Sequence, residues 1–140
     1  MRLFLDANVL FVAGYSATSP VHDLLALASG GFCDLLSSEY AFEEARRNLA
    51  IKGQPSMLER FTTSTLGIVR VSEAGAPGLA QATAANLSDP ADIPILAAAI
   101  QARADGLVTG DKRAFSPHFG TRIAAVEIML LRDALQRVTS

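Results

Sequence analysis

Short apolar runs alternate along this chain with segments of helical period, and this alternation constrains the fold more than any other feature. The runs of strand length cover residues 2–5, 32–36, 67–71, 107–109 and 121–126. The helical segments cover residues 21–29, 38–51, 57–63, a stretch that ends near residue 86, and 95–102. Residues 127–138 suit a strand end, a helix, or both. Strands joined through helices require crossovers, so the pattern predicts an α/β fold with a short parallel sheet of four to five strands flanked by helices on both faces.

Length and composition favour one globular domain. The chain has 140 residues, of which 50% are hydrophobic, so a single domain over residues 1–140 can bury a full core and disorder is excluded. The formal net charge is −2, which excludes a broadly basic nucleic-acid binder and requires any contact with nucleic acid to be local.

The sequence also predicts a cytoplasmic protein. The apolar run after Met1 and Arg2 is too short for an export signal. The apolar run over residues 93–102 is about half the length of a membrane-spanning helix, which needs about 20 residues. Cys33 is the single cysteine, so it has no internal disulfide partner and is expected in the core in a reducing cytosol.

Acidic residues stand at the ends of predicted elements. Asp6 ends the first apolar run, and Asp111 follows the fourth strand. In parallel α/β sheets the ligand binds beyond the carboxyl ends of the strands, so these two distant acids are expected at one edge. Asp92 opens the helix over 95–102 as its candidate N-cap, and Glu44 lies on the helix over 38–51.

Each acid alone has a structural interpretation, and the set has a functional one. Asp6, Asp92 and Asp111 each suit a helix or turn cap, and Glu44 suits a solvated helix face. Together they repel one another unless a cation neutralises them, and hard oxygen ligands suit Mg²⁺ or Mn²⁺. Asn8 offers one more oxygen. Zinc is disfavoured because the two histidines and the cysteine are scattered, at His22, His118 and Cys33.

These motifs together resemble the PIN domain family, the nuclease domain of VapC-like toxin ribonucleases of toxin–antitoxin systems. The resemblance covers nearly the whole chain and rests on LFLDANVL at 3–10, YAFEEARRNL at 40–49, DIPILAAA at 92–99 and ADGLVTGDKRAF at 104–115. It implies metal-dependent hydrolysis of RNA, with Mg²⁺ or Mn²⁺ bound by the acids of a PIN-like domain. It also implies an antitoxin protein that covers the acidic pocket, and a homodimer.

The resemblance assigns a role to each acid. Asp6 is expected as the central metal ligand, with Asp92 and Asp111 completing the shell directly or through water. Glu44 is expected to bind metal or orient the attacking water. Two choices stay open, because Glu43 competes with Glu44 and Asp89 competes with Asp92.

Two other functions remain as alternatives. A PIN-like scaffold that binds RNA or protein without cutting is one. A phosphoacceptor response-regulator domain is the other, but it needs an acid pair at the first strand end, where only Asp6 stands, and a lysine after a later strand, where Lys112 follows another acid. The locally basic stretch from Arg46 to Arg70 suits either a phosphate-contacting edge or a solvated helix face.

Overall fold

The strands form one mostly parallel sheet. The computed structural model describes residues 1–116 and 118–140. Within this part of the chain the sheet has six strands in the order β3-β2-β1-β4-β6-β5, and the β5–β6 pair is antiparallel. The strands are β1 (Arg2–Leu5), β2 (Asp34–Ser38), β3 (Val69–Val71), β4 (Gly106–Val108), β5 (Arg122–Ile123) and β6 (Val126–Met129).

The chain first builds outward on one side of β1 and then crosses to the other. It runs from β1 through β2 to β3, after which β4 enters the sheet on the opposite side of β1. Strand order therefore reverses between β1 and β4, and such a switch point opens a crevice at the carboxyl ends of the strands. Asp6 and Thr109 follow the two strands at this crevice.

Helices fill the connections between the strands. They are α1 (Ala7–Tyr15), α2 (Val21–Ser29), α3 (Glu39–Lys52), α4 (Pro55–Ser64), α5 (Ala76–Thr83), α6 (Ile93–Gln101), α7 (Lys112–Phe115) and α8 (Leu131–Thr139). A 3-10 turn over Pro90–Asp92 precedes α6. Among the described residues, no helix is both long enough and apolar enough to cross a membrane.

The core lies on both faces of the central strand. Leu3, Phe4 and Leu5 alternate between the two faces of β1, and each is 0% exposed. Both faces of the sheet are therefore covered at its central strand, as expected for a parallel strand with an unbroken apolar sequence. Helix α1 packs against α3 and α4 and places its own apolar side chains in this core.

Three elements differ from the sequence prediction, and the described sheet has six strands where four to five were predicted. Helix α7, which covers only Lys112–Phe115, was not predicted. Helix α1 was not predicted, because Asn8 is its one strongly polar side chain and a helix that is apolar on nearly all sides has no amphipathic period. The single strand predicted over 121–126 is instead a hairpin of β5 and β6, whose turn is Ala124–Ala125. The stretch over 127–138 contains both a strand end and a helix. The predicted α/β class and the flanking helices are confirmed.

Substitution of Gly14, where α1 meets α4, should destabilise the fold. A Cβ atom there would lie 2.7 Å from Leu49 Cδ1, 2.8 Å from Phe61 Cβ and 2.9 Å from the Met57 carbonyl oxygen. We expect Gly14→Ala to lower the free energy of unfolding by about 2 kcal/mol, measured by urea denaturation. Gly106→Ala is the control, because its nearest obstacle is the flexible Met129 methyl at 2.5 Å. Equal losses in the two variants would contradict the prediction.

The hairpin turn should be stabilised by glycine. Ala124 and Ala125 have φ values of 48° and 72°, a left-handed conformation that costs an L-residue about 1 kcal/mol. We expect Ala125→Gly to raise the free energy of unfolding by roughly 0.5 kcal/mol, since the relieved strain exceeds the added entropy of the unfolded chain. Ala80→Gly, the same change on the exposed side of α5, should lower it by about 1 kcal/mol. A loss in both variants would refute the strain at Ala125.

Candidate functional site

A cleft opens at the switch point between β1 and β4. Its volume is about 510 Å³. The described residues that line it are Asp6, Asn8, Phe11, Glu44, Asn48, Ile51, Lys52, Asp89, Ala91, Asp92 and Asp111. The structure therefore brings all four predicted acids to one cleft from four separate parts of the chain.

Asp6 is both a helix cap and a cleft residue. Its side chain is 1% exposed, and its Oδ1 accepts a hydrogen bond from the Ala7 backbone N–H at 2.6 Å, at the N-cap of α1. Its Oδ2 accepts a hydrogen bond from Thr109 Oγ1 at 2.6 Å and one from Asn8 Nδ2 at 3.2 Å. The two interpretations of Asp6 in the sequence are therefore compatible, since one oxygen caps the helix while the other faces the neighbouring strand end.

Thr109 and Asn8 join the two strand ends. Asn8 Oδ1 accepts a hydrogen bond from the Gly110 backbone N–H at 2.9 Å, and Thr109 Oγ1 accepts one from the Asp111 backbone N–H at 3.0 Å. Asn8 therefore orients the turn that carries Asp111. No role for Thr109 was predicted from the sequence, although its position in the Thr-Gly-Asp segment after β4 is the signal that could have indicated one.

Asp92 places a buried carboxylate oxygen in the cleft. It is the last residue of the 3-10 turn and is 8% exposed. Asp92 occupies the predicted N-cap position of α6, but its side chain makes no capping hydrogen bond, and Oδ2 finds no hydrogen-bond partner in the described part of the chain. Its rival Asp89 is exposed and caps the turn, with Oδ1 accepting from the Ala91 N–H at 3.0 Å. Tyr40 donates to the Ala91 carbonyl oxygen at 3.2 Å and so ties this turn to α3.

The two adjacent glutamates of α3 point to different surroundings. Glu44 is half-buried and lines the cleft. Glu43 forms an ion pair with Arg46, and its side chain is 58% exposed. This division is expected because successive helix residues point about 100° apart. The basic stretch from Arg46 to Arg70 is partly occupied by ion pairs, as Arg46 pairs with Glu43 and Arg70 with Glu39.

The crowded acids hold protons more tightly than usual. Burial raises the pKa of Asp92 to about 7, and the charges of Asp6, Asp111, Asp89 and Glu44 contribute to the rise. Burial also raises the pKa of Asp6 to about 6, against the opposing hydrogen bonds from Thr109 and Ala7. The pKa of Glu44 is raised as well, chiefly by burial. The cleft therefore carries negative charge at a cost in folding free energy.

The donor set fits a hard divalent cation in its chemistry. All the candidate donors are carboxylate or amide oxygens, and Asp92 Oδ2 is a buried oxygen that finds no hydrogen-bond partner among the described residues. As the side chains stand, no group of three or more acidic, histidine or cysteine residues within 1–116 and 118–140 is arranged to hold an ion. Carboxylates that lack a counter-ion repel one another, so a bound cation would have to draw them together.

The metal-free protein should be more stable in mild acid than in mild base. The pKa of Asp92 is about 7 in the folded chain against an ordinary 3.8, so between these values the folded state binds more protons and its stability falls as pH rises. We expect a lower melting temperature at about pH 8 than at about pH 5.5, and Asp92→Asn should remove most of this difference. Asp34→Asn, the same change at an exposed position, is the control; equal pH dependence in both variants would contradict the assignment.

Comparisons with known proteins agree with this architecture. A family model of the PIN domain matches residues 2–113. No curated protein sequence matches the chain. A chain from the crystal structure of VapBC2 from Rickettsia felis, bound to a DNA fragment from their promoter, is similar with a TM-score of 0.70, 15% identity, and coverage of 93% of this chain and 98% of that chain. A chain from the structure of FitAB bound to an IR36 DNA fragment has a TM-score of 0.58, 20% identity, and coverage of 92% and 94%.

These structural matches show a shared fold, and the family model covers most of the sequence that builds the cleft. It includes β1 with Asp6, α3 with Glu44, the turn with Asp92, and the segment after β4 with Asp111. The chain belongs to the PIN domain family.

Proposed function

We propose that this protein is a divalent-metal-dependent endoribonuclease that hydrolyses RNA phosphodiester bonds, and that it is the toxin of a toxin–antitoxin pair. The observation that carries the proposal is the buried Oδ2 of Asp92, which finds no hydrogen-bond partner within residues 1–116 and 118–140 and lies in the same cleft as Asp6, Glu44 and Asp111. A fold with no use for a cation gains nothing from this arrangement, because each added carboxylate raises the pKa of its neighbours. Membership of the PIN domain family supports a nuclease.

Asp6, Asp92 and Asp111 would hold Mg²⁺ or Mn²⁺, with Glu44 binding the ion or orienting water. When bound, the ion supplies Lewis-acid activation of water and neutralises charge on the phosphate. Asp6 is prepared for this role because Thr109 and Ala7 fix the direction of its two oxygens. Asn8 positions the Asp111 turn through Gly110.

Glu44 is suited to move a proton. Its carboxylate lies in the cleft, and burial raises its pKa above that of an exposed glutamate, which makes the carboxylate a stronger base. Arg47 opposes this shift. We propose that a Glu44 carboxylate oxygen accepts a proton from the attacking water while the aspartates bind the ion.

The acidic cleft also fits a cationic protein partner. Arginine pairs with carboxylates through two parallel hydrogen bonds, so an antitoxin that inserts an arginine would neutralise the cleft and block access to it. The two similar structures described above are of VapBC2 and FitAB, each bound to a DNA fragment, and this similarity supports an antitoxin partner for the present chain. A homodimer in the cytoplasm completes the proposal.

Removal of the Asp6 charge should abolish RNA cleavage. In the Asp6→Asn variant we expect the rate with Mg²⁺ or Mn²⁺ to fall at least about 100-fold, the upper end of the loss caused by removing a supporting residue at a metal site. Cleavage of a labelled single-stranded RNA is the measurement, and Asp34→Asn at the opposite, amino-terminal end of β2 is the control. An Asp6→Asn protein that cuts as fast as the wild type would overturn the assignment.

Substitutions of the two adjacent glutamates should affect RNA cleavage differently in the same assay. Glu44→Gln is expected to lose activity, whereas Glu43→Gln should retain it because its side chain pairs with Arg46 outside the cleft. The reverse result would transfer the role to Glu43. Titration calorimetry with Mn²⁺ tests the scaffold alternative, since a wild-type protein that binds RNA but neither binds metal nor cleaves would be a non-catalytic PIN-like scaffold.

A further inference from the structure

One side of the acidic cleft is built from residues that carry no negative charge. Phe11 comes from α1, and Asn48, Ile51 and Lys52 come from α3. Among the described residues that line the cleft, Lys52 is the sole cation. We refer to Phe11, Tyr15, Asn48, Ile51 and Lys52 as the α1–α3 wall.

Helix periodicity continues each row of cleft residues outward along this wall. On α1, Asn8 at the cleft floor is followed by Phe11 and Tyr15, which are three and seven positions later and share its face. On α3, Glu44 is followed at four and eight positions by Asn48 and Lys52. Helix α1 packs against α3, and the Lys52 ammonium over the Tyr15 ring brings the last residues of the two rows together.

The aromatic part of the wall is stacked and accessible. The Phe11 and Tyr15 rings lie with their centroids 5.3 Å apart and their planes 22° from parallel. Tyr15 is 47% exposed, and Ile51 is 77% exposed. The Lys52 ammonium lies 5.5 Å from the centroid of the Tyr15 ring, on a side chain that is itself exposed. The Tyr15 ring is therefore stacked on Phe11 and partly exposed to solvent, with the Lys52 ammonium over it.

These groups match the parts of a nucleotide. A base stacks on an aromatic ring with little regard to its identity, an ammonium group binds phosphate, and the Asn48 amide can donate to and accept from a base edge. Lys52 also supplies the positive charge that a phosphodiester needs beside several carboxylates. The mixture of ring, amide and cation favours a nucleotide over an apolar protein segment, which would leave Asn48 and Lys52 buried against it.

We propose that the α1–α3 wall is a binding subsite for one base and one phosphate of a single-stranded RNA, beside the nucleotide that is cut at the acidic cleft. The inference rests on the proposed ribonuclease function and adds how the substrate is held. A base reaches such a surface only when it is unpaired, so the nucleotide held at the α1–α3 wall lies in a single-stranded segment of the RNA. Lys52 leaves the Tyr15 ring for the phosphate as the base takes its place.

Binding of short RNAs tests the stacking. All variants are made in the Asp6→Asn background, where the RNA stays intact, and affinity is measured by fluorescence anisotropy with a labelled single-stranded RNA. Tyr15→Ala should weaken binding about tenfold, within the range for loss of one base–aromatic stack, and Tyr15→Trp should restore it. Phe32→Ala is the matched control, because Phe32 is an aromatic residue that is 66% exposed just before β2, at the other end of the sheet.

Abasic RNAs locate the contact. A series of otherwise identical RNAs, each lacking one base, should show one position at which the Tyr15-containing protein loses about tenfold in affinity and the Tyr15→Ala variant loses nothing further. A merely structural role for Tyr15 would lower affinity for every RNA of the series by the same factor.

The salt dependence separates Lys52 from Tyr15. Lys52→Gln should reduce the slope of log affinity against log salt by about 0.7, the value for one phosphate contact on a single strand. Tyr15→Ala should leave the slope unchanged, because it removes no charge. An unchanged slope in Lys52→Gln would remove the phosphate contact from the proposal.

The outcomes distinguish this inference from the function on which it rests. If the wild-type protein neither cleaves nor binds single-stranded RNA, both fail. If it cleaves RNA but Tyr15→Ala binds like the Phe32→Ala control, the subsite alone is wrong. If RNA affinity is unchanged but Tyr15→Ala abolishes self-association in sedimentation experiments, the wall belongs to an interface with a second copy, and the proposal is overturned.

Discussion

The pair of hydrogen bonds at Asp6 is the constraint on which the rest of the site depends. One carboxylate oxygen begins α1 through the Ala7 N–H, and the other reaches Thr109 at the end of β4. The same side chain thus fixes the start of a helix and the spacing of two strand ends that are far apart in sequence. Asn8 extends the connection to Gly110 and so to the turn that carries Asp111. Truncation of the Asp6 side chain would therefore alter the geometry of the crevice as well as its charge.

This arrangement places charge where the fold least favours it. Burial raises the pKa values of Asp6 and Asp92 to about 6 and about 7. In the metal-free protein these two carboxyl groups therefore titrate near neutral pH. In an enzyme, groups with strongly shifted pKa values collect at functional sites because catalysis needs charges that the fold alone would avoid. The free-energy cost of these charges arises beside a well-packed central strand, because Leu3, Phe4 and Leu5 of β1 are fully buried.

The parts of this structure that were predictable from the sequence are those set by period and topology. The proximity of Asp6 and Asp111 could be predicted from the sequence, because parallel strands align their carboxyl ends. Helix α1 could not be predicted, because a segment that is apolar on nearly every side has no amphipathic period. The positions of Phe11 and Tyr15, which lie on this helix, were missed for the same reason. The hairpin was missed because Ala124–Ala125 lacks the asparagine and glycine typical of such turns. That Glu44 lines the cleft and Glu43 does not could be seen only from the rotation of α3 about its axis relative to the cleft.

The edges of the sheet bear on how the protein behaves at high concentration. The described sheet ends at β3 with three residues and at β5 with two. An edge this short presents few unpaired backbone groups, so it is a poor template for another strand. Arg70 places a charge on the β3 edge, and its guanidinium also lies over the Phe42 ring. Addition of a strand from another molecule is therefore obstructed at both ends of the described sheet.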